Sequence, residues 1–136
     1  MSPTSLVIGC SGQDGSLLCK SLLESGQKVF GTSRKSISEH QNHQKLGIAG
    51  EFNIKKTSME NPSEILGLLK QIQPDHIYNF SAQSSVGLSF QLPHETQRSI
   101  VDATSNLLEA CRIIEYKGKI FYSGSSEIFG ETNQAA

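Results

Sequence analysis

The sequence lacks the features that mark membrane, secreted and disulfide-rich proteins. No apolar run approaches the roughly 18 residues that a membrane-spanning helix needs. The first ten residues, MSPTSLVIGC, have neither the basic start nor the long apolar core of a secretory signal. The three cysteines, Cys10, Cys19 and Cys111, form no CxxC pair, so we expect free thiols in a reducing cytosol and a cytoplasmic protein with no membrane partner.

A strong charge of one sign is also missing. The net charge is −1 and 18% of the residues are charged, which gives no electrostatic reason to expect nucleic acid as a partner. His40 and His43 form an H-x-x-H motif in a polar stretch, and we expect no metal site there. The 136 residues are enough for one domain, 1–136, whose core needs neither metal nor disulfides.

Two hydrophobic periodicities alternate along the chain. Short apolar runs predict strands at 5–9, 28–33, 51–57, 76–80 and 119–124, and apolar residues at helical spacing predict helices at 13–25, 62–73 and 93–116. Asn61 is the predicted N-cap of the second helix, with Pro62 at its first position and Glu64 placed for a capping box. The stretches 34–50 and 81–92 are predicted as loops, with room for one helical turn in the first.

This order of elements predicts an α/β fold. Strands that are separated by helices form a parallel sheet with helices on both of its faces. We therefore expect a doubly wound parallel sheet of the Rossmann type with five strands. The fold is expected to be truncated after the fifth strand, which then remains an exposed edge.

Three glycines stand three residues apart between the first strand and the first helix. In a doubly wound sheet this turn carries a pyrophosphate at the helix N-terminus. Gly9 permits a tight turn, Gly12 allows the backbone to approach phosphates, and Gly15 allows close helix packing. A glycine triplet also fits a plain turn, but its position between strand and helix favours a phosphate loop. The predicted cofactor contacts of this loop are Gly9, Ser11, Gly12, Gln13, Asp14 and Gly15.

The residues after the second strand indicate which dinucleotide binds. An acidic residue there binds the ribose 2′-hydroxyl of NAD, and a basic residue accommodates the 2′-phosphate of NADP. This stretch is GTSRKSIS, with Arg34 and Lys35 and no acid. The planar guanidinium of arginine suits phosphate oxygens, so we favour NADP as cofactor. The alternative is two solvated charges after a strand.

Three stretches resemble one family. GCSGQDGS, at 9–16, is similar to the glycine loop of the extended short-chain dehydrogenase/reductases that act on nucleotide sugars, and its Gln13-Asp14 insert resembles the GDP-mannose 4,6-dehydratase branch. YNFSAQSSVGLSFQLP, at 78–93, resembles the segment after the fourth strand of that branch. FYSGSSEIFG, at 121–130, resembles its catalytic strand end.

The resemblance implies an NADP-dependent dehydration of GDP-mannose to GDP-4-keto-6-deoxymannose. In that reaction a hydride leaves the sugar C4 for the nicotinamide, water is eliminated across C5–C6, and the hydride returns to C6. The cofactor carries the redox chemistry, and the protein supplies orientation and acid/base groups. GDP-mannose or a similar sugar nucleotide is thus the expected partner of the full-length form, which is expected to be a homo-oligomer.

The resemblance also extends the cofactor site. Ser58 occupies the position after the third strand where the family usually has an Asp that meets the adenine, and Met59 follows it. A family Tyr that contacts the cofactor is replaced by Glu95. The segment after the fourth strand is expected to line the nicotinamide side of the groove, with a serine-rich turn as the alternative. Its predicted contacts are Phe80, Ser81, Ala82, Gln83 and Ser84.

Two residues after the fifth strand are the candidates for catalysis. Carried over by position, Ser125 is the hydroxyl that hydrogen-bonds the sugar O4, and Glu127 is the carboxylate that removes the C5 proton. Independently of the resemblance, both follow the carboxyl end of a strand, where ligands bind in open α/β sheets, and their spacing places them on one face of an extended segment. A polar strand exit or a helix N-cap is the alternative interpretation.

The Tyr-x-x-x-Lys pair that these enzymes use has no match in this sequence. The chain is therefore expected to be the N-terminal part of a larger enzyme, without its C-terminal sugar-nucleotide domain and inactive by itself. The alternatives are another epimerase or decarboxylase of the same family, or a non-catalytic dinucleotide-binding module. The tyrosines are Tyr78, Tyr116 and Tyr122, and the residues four positions on are Ala82, Ile120 and Ser126.

Overall fold

The structure, a computed structural model, describes residues 2–34, 40–81, 86–125, 128–131 and 133. Within these residues the chain forms one sheet of five parallel strands in the order β3-β2-β1-β4-β5. The strands are β1 (Thr4–Ile8), β2 (Lys28–Ser33), β3 (Asn53–Lys56), β4 (His76–Asn79) and β5 (Lys119–Tyr122). The predicted doubly wound parallel sheet is confirmed.

Helices connect the strands. They are α1 (Gln13–Glu24), α2 (Gln41–Leu46), α3 (Pro62–Ile72), α4 (Val86–Gln91), α5 (Pro93–Gln97) and α6 (Ala103–Ile113), with a π-helical turn, Arg98–Asp102, between α5 and α6. None of the helices in the described part of the chain combines the length and the apolar character that crossing a bilayer requires.

The central strand β1 divides the core into two halves. Successive side chains of a strand point to opposite faces of the sheet. Leu6 and Ile8 accordingly pack with buried residues of α3 and α6, whereas Val7 packs on the other face with Cys19 and Leu22 of α1. Helices therefore cover both faces of the sheet at its central strands.

The start of α3 follows the predicted cap with one change. The Asn61 side chain accepts hydrogen bonds from the backbone N–H groups of Ser63 at 3.0 Å and Glu64 at 3.4 Å, as expected of an N-cap. The Glu64 carboxylate accepts from the N–H of Ser58 at 2.8 Å, three residues further back than a capping box requires. The cap therefore also fixes the loop that follows β3.

The stretch 34–50, predicted as a loop with room for one helical turn, contains the short helix α2. This helix ends at Gly47, whose φ of +72° is the left-handed conformation typical of a helix C-cap. Its buried residue is His43, which is 1% exposed, so the helix is anchored by a polar side chain and shows little hydrophobic periodicity.

The predicted loop at 81–92 is wrong, because it contains α4. Phe90 of this helix is 82% exposed and Leu88 is 39% exposed, so these two apolar side chains do not give the sequence the pattern of a buried helix face. Leu92 separates α4 from α5: its N–H donates to the Leu88 carbonyl, its carbonyl accepts from the N–H of Thr96, and its φ of −128° and ψ of 63° are not helical.

The fifth strand is an exposed edge, as expected. It pairs with β4 on one side and ends the strand order in the described part of the chain. Ile120, Phe121 and Tyr122 keep between 39% and 50% of their surface exposed.

The burial of two thiols should make the free energy of unfolding depend on pH. Burial raises the pKa of Cys10 from its ordinary 9.0 to about 12 and raises that of Cys19 as well. Above pH 9 the unfolded chain loses these protons while the folded chain keeps them, so the free energy of unfolding should fall as the pH rises, by about 1.4 kcal/mol per pH unit for each thiol. Urea unfolding between pH 8 and 10.5 measures this slope.

The Cys10→Ala variant provides the control for this slope. It removes one thiol, so the slope between pH 9 and 10.5 should become shallower by one thiol's share, whatever the variant costs in absolute stability. An unchanged slope would show that Cys10 ionises as readily in the folded chain as in the unfolded one.

Candidate cofactor-binding site

A cavity of about 390 Å³ lies at the carboxyl edge of the sheet. In the order β3-β2-β1-β4-β5 the chain adds β2 and β3 on one side of β1 and then crosses over to add β4 and β5 on the other side. Ligands of open α/β sheets bind at this switch point, at the carboxyl ends of β1 and β4. The cavity is large enough for part of a small-molecule ligand. It is lined by Gly9, Ser11, Gly12, Thr32, Ser33, Arg34, Thr57, Ser58, Met59, Glu60, Phe80, Ser81, Ser99 and Ala103.

The glycine loop turns sharply at the end of β1. Gly9 has a φ of +79°, in the left-handed region that glycine favours. A Cβ at this position would stand 2.7 Å from the carbonyl oxygen of Phe80. The backbone N–H groups of Gly9 and Cys10 both donate to the Thr32 carbonyl, at 3.1 and 3.0 Å. The turn is thus fixed between the ends of β2 and β4.

Gly15 serves packing within the loop. A Cβ built at Gly15 would overlap the carbonyl oxygen of Gly9 and lie 3.1 Å from the Cα of Cys10. The residue is buried in the first turn of α1, so glycine here lets the helix start directly against the loop.

Gly12 differs from the other two glycines of the loop. Its φ of −71° and ψ of 175° are open to any residue, and the nearest atom to a Cβ built there is the Gly9 carbonyl oxygen, at an ordinary 3.6 Å. Neither the backbone conformation nor the packing of the protein therefore requires glycine. Gly12 lines the cavity, so a side chain at this position would take up space inside it.

The start of α1 is suited to an anion. Gly12 is the N-cap and makes no side-chain cap hydrogen bond to the first turn. The Ser16 hydroxyl donates to the Gly12 carbonyl at 2.6 Å, so it does not cap the N–H groups of the first turn. The N–H groups of a first helical turn and the helix dipole together favour a phosphate.

The wall formed by the segment after β3 is held from two sides. Glu64 accepts from the N–H of Ser58, and the Asn106 side chain donates to the carbonyl of Met59 at 3.1 Å. Met59 is 6% exposed and belongs to the core on the side of α3 and α6. These contacts fix the backbone of the wall from both sides, and its side chains are the short hydroxyl of Ser58 and the thioether of Met59.

The end of β4 forms the opposite wall. The Phe80 N–H donates to the Ile8 carbonyl at 2.8 Å, which continues the pairing of β1 with β4. The Asn79 side chain accepts from both the N–H and the hydroxyl of Ser81, at 3.1 and 2.7 Å. Asn79 is buried, so it fixes the turn by which the chain leaves the strand into the cavity.

The structure brings together eight of the predicted cofactor residues in this lining. They are Gly9, Ser11, Gly12, Arg34, Ser58, Met59, Phe80 and Ser81. Gln13 and Asp14 are exposed in the first turn of α1 and are not part of the lining, and Gly15 is buried behind it. Lys35, Ala82, Gln83, Ser84 and Glu127 lie outside the described residues.

The lining also contains residues that the sequence did not single out. Ser33 and Thr57 directly precede the predicted contacts Arg34 and Ser58, and this proximity in the sequence could have identified them as lining residues. Ser99 and Ala103 lie four residues apart at the π-helical turn, on the face of the long helical segment that closes the cavity, whereas Glu95 is exposed outside it. Thr32 and Glu60 complete the set.

The two histidines of the H-x-x-H motif support the loop. His43 Nε2 lies 2.6 Å from the carbonyl oxygen of Cys10, and the rings of His40 and His43 are in edge contact with centroids 4.9 Å apart. Both rings are buried against the loop, although the sequence places them in a polar stretch. Within the described residues, no group of three or more His, Cys, Asp or Glu could hold a metal ion.

The candidate catalytic Ser125 lies three residues beyond β5. Because β5 pairs in parallel with β4, Ser125 follows the same sheet edge as Ser81. Its side chain is exposed, and it is not part of the lining of the cavity. The structure therefore places Ser125 at the expected edge of the sheet and outside the lining of this cavity.

Tyr116 lies at the opposite edge of the sheet. Its hydroxyl donates to the Lys119 carbonyl at 3.3 Å, and it lines a second cavity, of about 440 Å³, between the C-terminal ends of α3 and α6. Burial, with smaller effects of Cys111 and Asp75, raises the pKa of Tyr116 to about 12. A tyrosine that exchanges protons near neutral pH needs the opposite shift, so Tyr116 and Lys119 do not replace a Tyr-x-x-x-Lys pair.

Comparison with protein families gives one match over nearly the whole chain. The model of the GDP-mannose 4,6 dehydratase family matches residues 6–136. GDP-mannose 4,6-dehydratase of Yersinia enterocolitica is 37% identical over 133 residues, which are 92% of this chain and 36% of that protein. GDP-mannose 4,6 dehydratase 1 of Arabidopsis thaliana is 36% identical over 140 residues, covering 93% of this chain and 38% of that protein. The chain thus spans little more than a third of the length of these relatives.

Solved structures share the fold. UDP-glucose-4-epimerase from Stenotrophomonas maltophila, with bound NAD, superposes with a TM-score of 0.84 at 23% identity, over 97% of this chain and 40% of that chain. UDP-glucose 4-epimerase from Brucella ovis, in complex with NAD, gives a TM-score of 0.82 at 24% identity, over 98% and 39%. At this level of identity the similarity shows a common architecture and no more.

Proposed function

Because the chain belongs to the GDP-mannose 4,6-dehydratase family, we propose that its cavity binds NADP within an enzyme that converts GDP-mannose to GDP-4-keto-6-deoxymannose. The observation that carries the cofactor proposal is Gly12. It opens onto the cavity at the start of α1, where neither backbone nor packing requires a glycine. A phosphate seated against the loop supplies the missing reason.

Different residues of the lining are assigned to different parts of the cofactor. The first turn of α1 would hold the pyrophosphate, and Arg34, after β2, would hold the 2′-phosphate of the adenosine ribose. Ser58 and Met59 would flank the adenine, and Phe80 and Ser81 lie on the way to the nicotinamide. When bound, the cofactor supplies the acceptor and donor of a hydride, and the residues of this chain bind and orient it.

The acid/base part of the proposal concerns the segment after β5. Ser125 would hydrogen-bond the sugar O4, and Glu127 would remove the C5 proton. The position of Ser125 beyond the carboxyl end of β5 supports this assignment. We also propose that the full-length protein contains a Tyr-x-x-x-Lys pair and a sugar-nucleotide domain, in the part that corresponds to the uncovered length of the relatives. The full-length form is proposed to be a homo-oligomer.

Two observations favour different candidates. The epimerases that share the fold were solved with NAD, and Glu60 adds a carboxylate to the cavity lining, so NAD is the competing cofactor. The second candidate is a non-catalytic dinucleotide-binding module, because the predicted residues that line the cavity are cofactor contacts and Ser125 lies outside it. Binding without turnover of GDP-mannose by the full-length protein would identify the module.

Replacing Arg34 tests the cofactor preference. The Arg34→Ala variant should bind NADP about tenfold more weakly, because a charge-assisted hydrogen bond to phosphate is worth about 1.5 kcal/mol or more, and it should bind NAD within about twofold of the unaltered protein. Isothermal titration of the purified protein with both dinucleotides measures this.

The matched control is Arg112→Ala. Arg112 is an exposed arginine on α6 that pairs with Glu109 at 2.7 Å and is not part of the cavity lining. Its replacement should leave both affinities unchanged. Equal losses of NADP and NAD affinity in Arg34→Ala would remove the argument for NADP.

A further inference from the structure

The backbone N–H groups of the glycine loop have different partners. Those of Gly9 and Cys10 donate to the Thr32 carbonyl, and that of Gly12 donates to the Gly9 carbonyl at 3.3 Å. Within the described part of the chain, the N–H of Ser11 has no such acceptor, and Ser11 lines the cavity. Backbone N–H groups are strong donors that need an acceptor. The Ser11 N–H is therefore the donor of this loop that a ligand in the cavity can use.

The peptide unit that carries this N–H is held from the other side by α2. His43 Nε2 lies 2.6 Å from the carbonyl oxygen of Cys10. A carbonyl oxygen only accepts, so Nε2 is the donor of this hydrogen bond. The C=O and N–H groups of a planar trans peptide point in opposite directions. The Ser11 N–H, which belongs to the same unit as the Cys10 carbonyl, therefore points away from His43.

The packing of His43 keeps this orientation. The side chain is 1% exposed, and its ring lies between those of His40 and Phe52, with centroid distances of 4.9 and 5.3 Å. His43 is not part of the cavity lining, whereas Ser11 is. The Cys10 carbonyl thus faces a buried ring, and the N–H on the other side of the peptide belongs to a residue that borders the cavity.

Asn42 makes a matching contact one residue further along the loop. Its side chain donates to the Ser11 carbonyl at 3.0 Å. The N–H of that peptide unit belongs to Gly12 and already donates to the Gly9 carbonyl. Two neighbouring residues of α2 thus hold two successive carbonyls of the loop. Only the carbonyl held by His43 shares its peptide with an N–H that is available to a ligand.

We propose that His43 is a positioning residue for the cofactor, which orients the Cys10–Ser11 peptide so that the Ser11 N–H donates to a phosphate oxygen of the dinucleotide. The inference rests on the proposed function, because it presupposes a dinucleotide in this cavity. An anionic oxygen suits this donor, since hydrogen bonds to ionised groups are roughly twice as strong as those between neutral groups. His43 lies outside the lining and acts only through this peptide.

The first experiment needs no variant. Hydrogen–deuterium exchange of the purified full-length protein, resolved to single amides by fragmentation in the mass spectrometer, compares the protein with and without saturating NADP. Exchange at Ser11 should slow at least about tenfold when NADP is bound, because the N–H then has a hydrogen-bond partner. Equal exchange rates at Ser11 with and without NADP would overturn the inference.

Variants test the role of His43 in NADP affinity. His43→Leu removes the donor at similar size and should weaken binding about tenfold, the value of one charge-assisted hydrogen bond. His43→Gln keeps an N–H donor and should stay within about twofold of the unaltered protein. The matched control, Asn42→Ala, should also stay within about twofold, because the peptide that Asn42 holds offers the ligand no N–H. Equal losses in all three variants would overturn the inference, since α2 would then only support the loop as a whole.

Titration with NAD identifies which phosphate the Ser11 N–H binds. NAD has the pyrophosphate but lacks the 2′-phosphate. If Ser11 binds the pyrophosphate, His43→Leu should weaken NAD as much as NADP. If it binds the 2′-phosphate, the same variant should weaken NADP alone. Both results support the inference and differ only in the phosphate that they identify.

The outcomes distinguish this inference from the proposed function. If the unaltered protein binds NADP and His43→Leu binds it as tightly, the inference is overturned and the proposed function stands. If the unaltered protein binds neither dinucleotide, both are overturned. Should His43→Leu fail to fold, the exchange rate at Ser11 decides, because that measurement uses the unaltered protein.

Discussion

The Gly12→Ala variant should fold like the unaltered protein and lose at least about 100-fold in affinity for NADP. Alanine fits the backbone conformation of Gly12, and its Cβ meets no protein atom closer than 3.6 Å. In the cavity the same methyl group would displace the phosphates from the N–H groups of the first turn of α1, and each such charge-assisted hydrogen bond is worth about 1.5–3 kcal/mol. Thermal unfolding measures the fold, and titration with NADP measures the site.

The matched control is Gly15→Ala, three residues along the same loop. Its Cβ would overlap the Gly9 carbonyl oxygen, so this variant should be destabilised by about 1–3 kcal/mol, as for other overpacked sites. The two substitutions add the same methyl group to the same loop and should separate stability from binding. Unchanged NADP affinity in a folded Gly12→Ala protein would mean that the cavity holds no phosphate at this place.

The Glu127→Gln variant of the full-length enzyme should lose about 10²–10⁴-fold in kcat for GDP-mannose dehydration, the usual contribution of a general base. Glutamine has nearly the same shape as glutamate but cannot accept the C5 proton. NADP affinity should remain within about twofold, because the proposed role of Glu127 concerns the sugar and not the cofactor. Release of the keto product and titration with NADP give the two measurements.

Glu131 supplies the matched control for this prediction. It stands four residues further along the chain and is exposed. Glu131→Gln should therefore leave kcat unchanged. Retained turnover of GDP-mannose by the Glu127→Gln enzyme would exclude Glu127 as the base and leave the proton transfer to another group.

The parts of the fold that could be predicted are those where one residue's chemistry decides the local structure. Gly9 could be assigned to a turn because a left-handed backbone needs glycine, and Asn61 to a helix cap because its side chain meets two free N–H groups. α2 escaped prediction because it is anchored through His43, a residue that sequence patterns count as polar. Its burial depends on the Cys10 carbonyl, which only the folded loop brings within reach.

The site was predictable to the same extent. Ser11 and Arg34 follow strand ends, and parallel strands bring their carboxyl ends to one edge, so their meeting could be inferred. The contacts of the Ser33 hydroxyl with Ser11 and His40 could not be inferred in this way, because they depend on distances that only the folded chain sets. Ser99 and Ala103 needed knowledge of how the long helical segment crosses the sheet.

The π-helical turn between α5 and α6 makes this surface segment sensitive to its length. A π turn accommodates one extra residue in a helix, and one residue corresponds to about 100° of rotation about the helix axis. Deleting a single residue between 98 and 102 would therefore let the segment run as a continuous α-helix while α5, and α4 before it, rotate relative to α6. Insertions and deletions here should therefore change the orientation of α4 and α5 relative to the cavity, even though α5 itself has no buried residue.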